Sequence, residues 1–349
     1  MRAVFRADGS PEIGMGHIMR SVVLAEELKR GGCQVVFMSR EDEATHKLLK
    51  EKSIEVHTIS DESLPLHGDL MKEKETIKAV LKKIQPDVVV TDSYDITASY
   101  LETIKPYCKV LVSIDDLAEI EFCSDIIVNG NLKGEQMRYK TSNPDVKLLL
   151  GPRYILLGNQ FRELQGKEKS LDLIENILVT MGGGDVMNLT PKVIRAFSGI
   201  SHNIAIRVML GPAFNNLDEI KVAINESKRS FEILRNPKNI AELMFQADLA
   251  VSGGGSTLYE LAVAGTPSIV LCQARNQLEL ADALDKYGTV VNLGDGRKVD
   301  EEKIKNTLEY LMRAPDVVRM MKERCRELVD GRGVVRVVDV IEKELEVRK

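Results

Sequence analysis

The chain has 349 residues, 44% of them hydrophobic, with 48 basic against 53 acidic side chains and a formal net charge of −5. That length exceeds one ordinary hydrophobic core and predicts two domains, while the mixed, slightly acidic balance argues against nucleic acid as a partner. No run of roughly 18 apolar residues occurs and Met1-Arg2 leads straight into an apolar strand, so neither a membrane span nor export is indicated, and a cytoplasmic protein is expected.

In chain order the pattern alternates: a strand near 2–6, a helix over 17–30, a strand over Gln34–Met38, a helix around 42–51, a strand over Glu55–Ile59, a helix over 69–84, then the run Asp87-Val88-Val89-Val90-Thr91. A helix over 97–106 and a strand over Lys109–Ile114 follow, with shorter apolar pieces at Asp125–Val128 and Val146–Leu150. Strands separated by helices predict a parallel sheet with right-handed crossovers, and the valine run fits a strand covered on both faces. Near Gly151-Pro152 the alternation breaks, a charged stretch runs from Arg162 to Asp172, and the domain junction is placed here, giving domains 1–160 and 161–349.

The second half repeats the logic. Strands are expected at Ile177–Met181, Ala205–Leu210, Phe231–Leu234, Asp248–Val251, Ser268–Leu271 and Val290–Asn292. Helices are expected over 190–198, 217–226, 239–246, 257–264, 276–286, 301–313 and 315–329. The last segment, Val334–Val347, is apolar at helical spacing, and pattern alone leaves open whether it packs on its own domain or crosses back to the first. The fold class read from this order is α/β, two Rossmann-like domains with parallel sheets facing a cleft.

Five cysteines (Cys33, Cys108, Cys123, Cys272, Cys325) are odd in number and far apart, with no histidine at metal-ligand spacing. They read as reduced thiols, and neither a metal nor a cofactor is expected. His46, His57, His67 and His202 stand singly in polar surroundings. His17 is different: it follows Gly14-Met15-Gly16 where the first strand gives way to a helix, and a helix start offers unpaired N–H groups beside a titratable ring. Arg6, Asp8, His17, Arg20 and Asp92-Ser93-Tyr94-Asp95 all fall at or just past strand ends on one edge of the predicted sheet. In that arrangement a histidine can deprotonate water, Asp or Tyr can orient the water or the ring, and Arg can hold a ligand oxygen. Arg6 and Asp8 equally fit a surface ion pair.

In the second half two glycine runs follow strands: Met181-Gly182-Gly183-Gly184-Asp185 and Ser252-Gly253-Gly254-Gly255-Ser256-Thr257. Such loops expose N–H groups to phosphate oxygens, although glycine also simply permits tight turns, and neither run has Walker or dinucleotide spacing. Thr257-Leu258-Tyr259-Glu260 has the spacing of a capping box, against which stands a Glu260 carboxylate bound to ribose hydroxyls. Asn276 fits a plain helix cap as well as a polar rim with Arg275 and Gln277.

Taken together, Arg6-Ala7-Asp8, Ile13-Gly14-Met15-Gly16-His17-Ile18-Met19-Arg20, Asp92-Ser93-Tyr94, the run from Ser252 to Leu261, Gly265-Thr266-Pro267 and Asn276-Gln277 resemble the nucleotide-sugar hydrolases of pseudaminic acid biosynthesis and the related spore-coat polysaccharide proteins. More distantly the chain resembles the MurG-type glycosyltransferases of GT-B fold. The resemblance, in order from residue 2 to about 280, implies UDP held mainly by the second domain and the sugar and attacking water by the first. By the family's pattern His17 is the general base and Tyr94 positions water. Gly14 and Gly16 form the turn against sugar or phosphate, with Arg6, Asp8 and Arg20 on the substrate side. Gly183, Gly184, Gly254, Gly255, Ser256 and Thr257 border the diphosphate, Glu260 meets the ribose, and Asn276 and Gln277 stand near the sugar. The reaction implied is metal-independent, inverting hydrolysis of UDP-2,4-diacetamido-2,4,6-trideoxy-β-L-altrose. The alternative is a MurG-like UDP-sugar transferase in surface polysaccharide biosynthesis. A UDP-linked diacetamido sugar is the partner implied, with no obligatory protein partner.

Overall fold

The computed structural model describes residues 1–9, 15–59, 73–169 and 173–348. The chain divides into two compact units, Met1–Leu157 with Arg332–Lys349 (unit 1) and Gly158–Gly331 (unit 2). Unit 1 runs through β1 (Arg2–Ala7), α1 (Gly16–Arg30), β2 (Gln34–Arg40), α2 (Glu43–Glu51), β3 (Glu55–Ile59), α3 (Lys74–Ile84), β4 (Val88–Asp92), α4 (Ala98–Ile104), β5 (Val110–Ile114), β6 (Glu121–Phe122), β7 (Ile126–Asn129), β8 (Lys140–Thr141) and β9 (Lys147–Leu150). Among the described residues, seven of these strands form one parallel sheet in the order β3-β2-β1-β4-β5-β7-β9.

Alternation along the strands sends side chains to two helical layers. Ala3, Phe5 and Ala7 of β1 and Val88 and Val90 of β4 face one way, onto Ile18, Val22, Ala25 and Leu28 of α1. Val4 and Val89 face the other way, onto Ile77 and Leu81 of α3 and Tyr100, Leu101 and Ile104 of α4. This two-sided burial is why the valine run of β4 carries no polar face before Thr91.

Unit 2 opens with the short α5 (Asn159–Arg162) and continues through β10 (Asn176–Thr180), α6 (Leu189–Ala196), β11 (Ala205–Leu210), α7 (Leu217–Ser227), β12 (Glu232–Arg235), α8 (Ile240–Gln246), β13 (Leu249–Gly253), α9 (Thr257–Val263), β14 (Ser268–Cys272), α10 (Arg275–Tyr287), β15 (Val290–Asp295), α11 (Glu301–Arg313) and α12 (Pro315–Leu328). Its described strands form a six-stranded parallel sheet in the order β12-β11-β10-β13-β14-β15. The α/β alternation expected from the sequence is present in both units. The parallel β6–β8 pair and α5 were not expected, because two-residue strands and a one-turn helix carry no measurable periodicity. The helix expected over 69–84 is described from Lys74 onward. No described helix is long and apolar enough to cross a membrane.

The terminal helix α13 (Gly333–Val347) belongs to unit 1. Val334, Val337, Val338, Ile341 and Leu345 form its apolar stripe and pack with α1 and the sheet face that carries Phe5 and Val112. Ile341 is fully buried there. Ile341→Ala therefore costs unit 1 about 2–5 kcal/mol, read as a lower unfolding midpoint in denaturant for a probe in unit 1, with a probe in unit 2 unmoved.

Candidate functional site

In unit 1 the strand order reverses between β1 and β4, and in an open α/β sheet ligands bind beyond the carboxyl ends of the strands at such a point. Ala7 and Asp92, the last residues of β1 and β4, stand opposite each other there. Asp92 lies two residues after Val90 and so projects to the α1 face, where it is fully buried. His17 and Arg20, one helical turn apart on α1, both reach it. His17 Nδ1 lies 2.6 Å from Asp92 Oδ1, Arg20 Nε is 2.6 Å from Oδ2 and Arg20 Nη2 is 2.6 Å from Oδ1. Ser21 adds a hydroxyl 3.3 Å from Oδ2.

Burial alone would penalise the Asp92 carboxylate, but Arg20 and then His17 outweigh it and hold the carboxyl below its ordinary range. An ionised carboxylate only accepts, so the Nδ1–H of His17 donates to it and the lone pair of the neutral ring is left on Nε2. No described residue bonds Nε2. The Tyr94 ring meets the imidazole edge-on, centroids 4.4 Å apart, and Tyr94 itself is 54% exposed where His17 is 7% exposed. Tyr94 Oη donates to Asp116 Oδ2 over 3.2 Å, and Arg20 Nη1 binds the same oxygen at 2.7 Å. Burial, then the Asp116 carboxylate, pushes the Tyr94 phenol up to about 12.

Arg6 and Asp8 lie elsewhere. Arg6 shares its sheet face with Val4, opposite to Asp92, and is 2% exposed. Its guanidinium binds Glu73 through Nε (2.7 Å) and Nη2 (3.1 Å) and Asp8 through Nη1 (2.7 Å), and the Tyr100 hydroxyl donates to Glu73 at 2.9 Å. Asp8 also accepts from the Arg40 backbone N–H at 2.8 Å. The surface ion pair considered from the sequence is thus a buried network beneath the loop ends, with no described contact to His17. Gly14 falls outside the described residues. Gly16 opens α1, with room for a Cβ around it.

Unit 2 has its own reversal, between β10 and β13, and both glycine runs lie at it. They adjoin: a Cβ on Gly182 would lie 3.5 Å from Thr257 Oγ1. Gly183 is exposed and its Cβ position is open, while the loop after β11 presses on the same turn so closely that a Cβ on Gly211 would come within 2.4 Å of the Gly183 carbonyl oxygen. Gly254 is buried, where a Cβ would meet Cys272 Sγ at 2.9 Å, and Gly255 and Ser256 lead outward to solvent.

The capping-box reading of Thr257 and Glu260 does not hold, because Ser256 occupies the cap position and no side chain caps α9. The Glu260 carboxyl is left in the first turn with no hydrogen bond or ion pair to the described residues, and burial alone pushes it up to about 7. Asn276 is exposed on the first turn of α10 and caps nothing, since Ala274 is the cap residue. Gln277 turns inward, and its Oε1 accepts from the backbone N–H of Gln273 (2.8 Å) and of Gly254 (3.2 Å), tying the second glycine run to the end of β14. The structure thus gathers His17, Arg20 and Tyr94 in unit 1, and Gly183, Gly184, Gly254, Gly255, Ser256, Thr257, Glu260 and Gln277 around the reversal of unit 2. Asp116 was missed by sequence reasoning, whereas Asp92 was among the strand-end groups expected to orient the water or the ring and is the one that bonds His17. The one available signal was a carboxylate closing each of two consecutive apolar strands.

Residues 176–330 match the model of the glycosyltransferase family 28 C-terminal domain. An uncharacterized protein of Methanocaldococcus jannaschii is 32% identical over 292 residues, which are 81% of this chain and 58% of that protein, so the chain spans little over half of this relative. The spore coat polysaccharide biosynthesis protein SpsG of Bacillus subtilis is 27% identical over 340 residues, 96% of each chain. The UDP-2,4-diacetamido-2,4,6-trideoxy-beta-L-altropyranose hydrolase of Campylobacter jejuni is 25% identical over 292 residues, 82% of this chain and 97% of that one. Among solved structures, MurG of Acinetobacter baumannii superposes with a TM-score of 0.73 at 16% identity over 98% of this chain and 100% of that one, and the fold is therefore GT-B.

The state of Glu260 is open to direct measurement. Its carboxyl sits near 7 in the native protein and near 4.3 in the unfolded chain, so wild type gains stability as pH falls through that interval. Glu260→Gln, neutral throughout, is then more stable than wild type by about 1–3 kcal/mol at pH 8. That advantage shrinks as pH falls and is gone below about pH 4.5. Urea unfolding at three pH values checks this, and a constant gap contradicts it.

Proposed function

We propose that the protein is a UDP-sugar hydrolase that cleaves UDP-2,4-diacetamido-2,4,6-trideoxy-β-L-altrose to UDP and the free sugar. The observation that carries this reading is the His17–Asp92 pair. Its Nδ1–H is committed to a carboxylate, and its Nε2 bonds no described residue beside the half-exposed phenol of Tyr94. A ring so oriented is built to accept a proton at Nε2, and the adjacent carboxylate offsets the charge that then develops on the imidazole.

The reaction runs as one displacement. Water, held by the Tyr94 hydroxyl, gives a proton to His17 Nε2 as its oxygen bonds to the anomeric carbon. The bond from that carbon to the β-phosphate oxygen breaks, UDP leaves with the electron pair, and the anomeric centre inverts. The N–H groups of exposed Gly183 and half-buried Gly255 and the hydroxyls of Ser256 and Thr257 are assigned to the diphosphate, which α9, only seven residues long, helps more through these donors than through its dipole. Glu260 is assigned to the ribose hydroxyls, and the lack of a partner for its carboxylate among the described residues supports this, since two hydroxyls would supply donors there. Arg6 and Asp8 are assigned to the floor beneath the sugar, stiffening the ends of β1 and β2 from below. Asn276 is assigned to the sugar, and Gln277 to holding the Gly254 turn.

The hydrolase of Campylobacter jejuni supports the hydrolytic assignment, whereas the family 28 match favours a transferase as the second reading. The two part in an assay for UDP release from the diacetamido sugar without an acceptor. Hydrolysis gives steady release, and His17→Gln lowers kcat by about 10²–10⁴ while UDP binds the variant as it binds wild type. Release that begins only when an acceptor alcohol is added overturns the hydrolase in favour of the transferase.

A further inference from the structure

Asp116 is the one acidic side chain of this cluster that the reaction above does not use. It follows β5, whose neighbour in the sheet is β4, so its loop lies beside the loop bearing Tyr94. The two adjacent carboxylates there have divided tasks. Asp115 accepts from the backbone N–H groups of Leu117 (2.9 Å) and Ala118 (2.7 Å) and from the Tyr139 hydroxyl (3.0 Å), and so holds its own turn. Among the described residues the Asp116 carboxylate bonds side chains and no backbone group. Its Oδ1 is anchored by Asn131 Nδ2 at 2.6 Å, from the loop after β7, and its Oδ2 takes both Arg20 Nη1 and Tyr94 Oη.

That sharing decides the geometry around the imidazole. Arg20 Nη2 lies 3.2 Å from His17 Nδ1, and both donate to Asp92 Oδ1, so the guanidinium is a rival for the atom that orients the ring. Arg20 spends Nε and Nη2 on Asp92 and Nη1 on Asp116, which fixes its plane between two carboxylates. Tyr94 is more than half exposed and its ring alone rests on His17, so the bond to Asp116 is what fixes its hydroxyl.

We propose that Asp116 is a positioning residue of this site: with one oxygen it sets the Tyr94 phenol edge-on to His17 and holds Arg20 in the plane that leaves Asp92 Oδ1 shared with His17 Nδ1. This rests on the assignment of His17 and Tyr94 to the water-activating step. Asp116 acts through those groups and touches neither water nor sugar. Asn131 is the outer tie of the same chain.

The test is a double-mutant cycle on UDP release with Asp116→Asn, Tyr94→Phe and the double variant, together with the ¹³Cζ resonance of Tyr94 in ¹³C-tyrosine-labelled protein without substrate. Asp116→Asn is expected to lower kcat about tenfold with KM and UDP affinity within about twofold, to cost less than about threefold once the Tyr94 hydroxyl is already gone, and to move the Tyr94 resonance. Asn131→Ala, which loosens Asp116 without removing it, is expected to move the resonance the same way by less, and it serves if Asp116→Asn folds poorly. Equal losses in the two backgrounds, or a Tyr94 resonance unmoved in both variants, overturn the proposal. If wild type releases no UDP from the sugar, the hydrolase reading fails on its own, and the resonance still decides whether Asp116 holds the phenol.

Discussion

One buried carboxylate organises the first half of this molecule. Asp92 ends a strand that opens with three valines, and nothing apolar could repay its burial. It is tolerated because α1 delivers a guanidinium and an imidazole one turn apart onto its two oxygens. The same bonds that neutralise the carboxylate set the tautomer and direction of His17, so stabilising the fold and orienting the reactive ring are one interaction. Remove the carboxylate and both the helix start and the ring lose their reference point.

The reversal of the second unit carries little charge. Its glycine turns are kept bare by close packing: Gly254 is walled by Cys272 and Gln277, and the turn at Gly183 is backed by Gly211. The Asp185 carboxylate there accepts from the backbone N–H groups of Leu189 and Thr190, whereas the Glu260 carboxyl has no partner among the described residues and is pushed up to about 7. The two halves thus divide by chemistry as well as by chain: a tightly satisfied ionic cluster in unit 1, and in unit 2 bare glycine turns beside one carboxyl without a partner among the described residues.

The sequence made the strand-and-helix order legible because parallel sheets demand it: the valine run of β4 and the stripe Ile18, Val22, Ala25 and Leu28 of α1 each admit one reading. His17 was legible for a different reason, since a polar ring after two glycines at a strand-to-helix turn reads poorly as a packing residue. What stayed hidden were partners distant in the chain. Asp92 lies 75 residues from His17, and Asp116 lies 96 from Arg20. No local spacing announces such a pair; only the register of β1 on β4 and β4 on β5 creates it. Arg6 misled for the matching reason. Alternation along β1 turns it away from the loop edge and onto Glu73, and a one-residue difference in a strand decides between two faces.

The return of α13 to unit 1 bears on how the molecule comes into being. Unit 2 is one uninterrupted stretch, complete once Gly331 has been made, whereas unit 1 is assembled from both extremities of the chain. During synthesis the earlier-made sheet waits with the flank beside α1 uncovered until the last helix emerges. The half made first is therefore the half finished last, and in the interval a greasy sheet face stands open to chaperones.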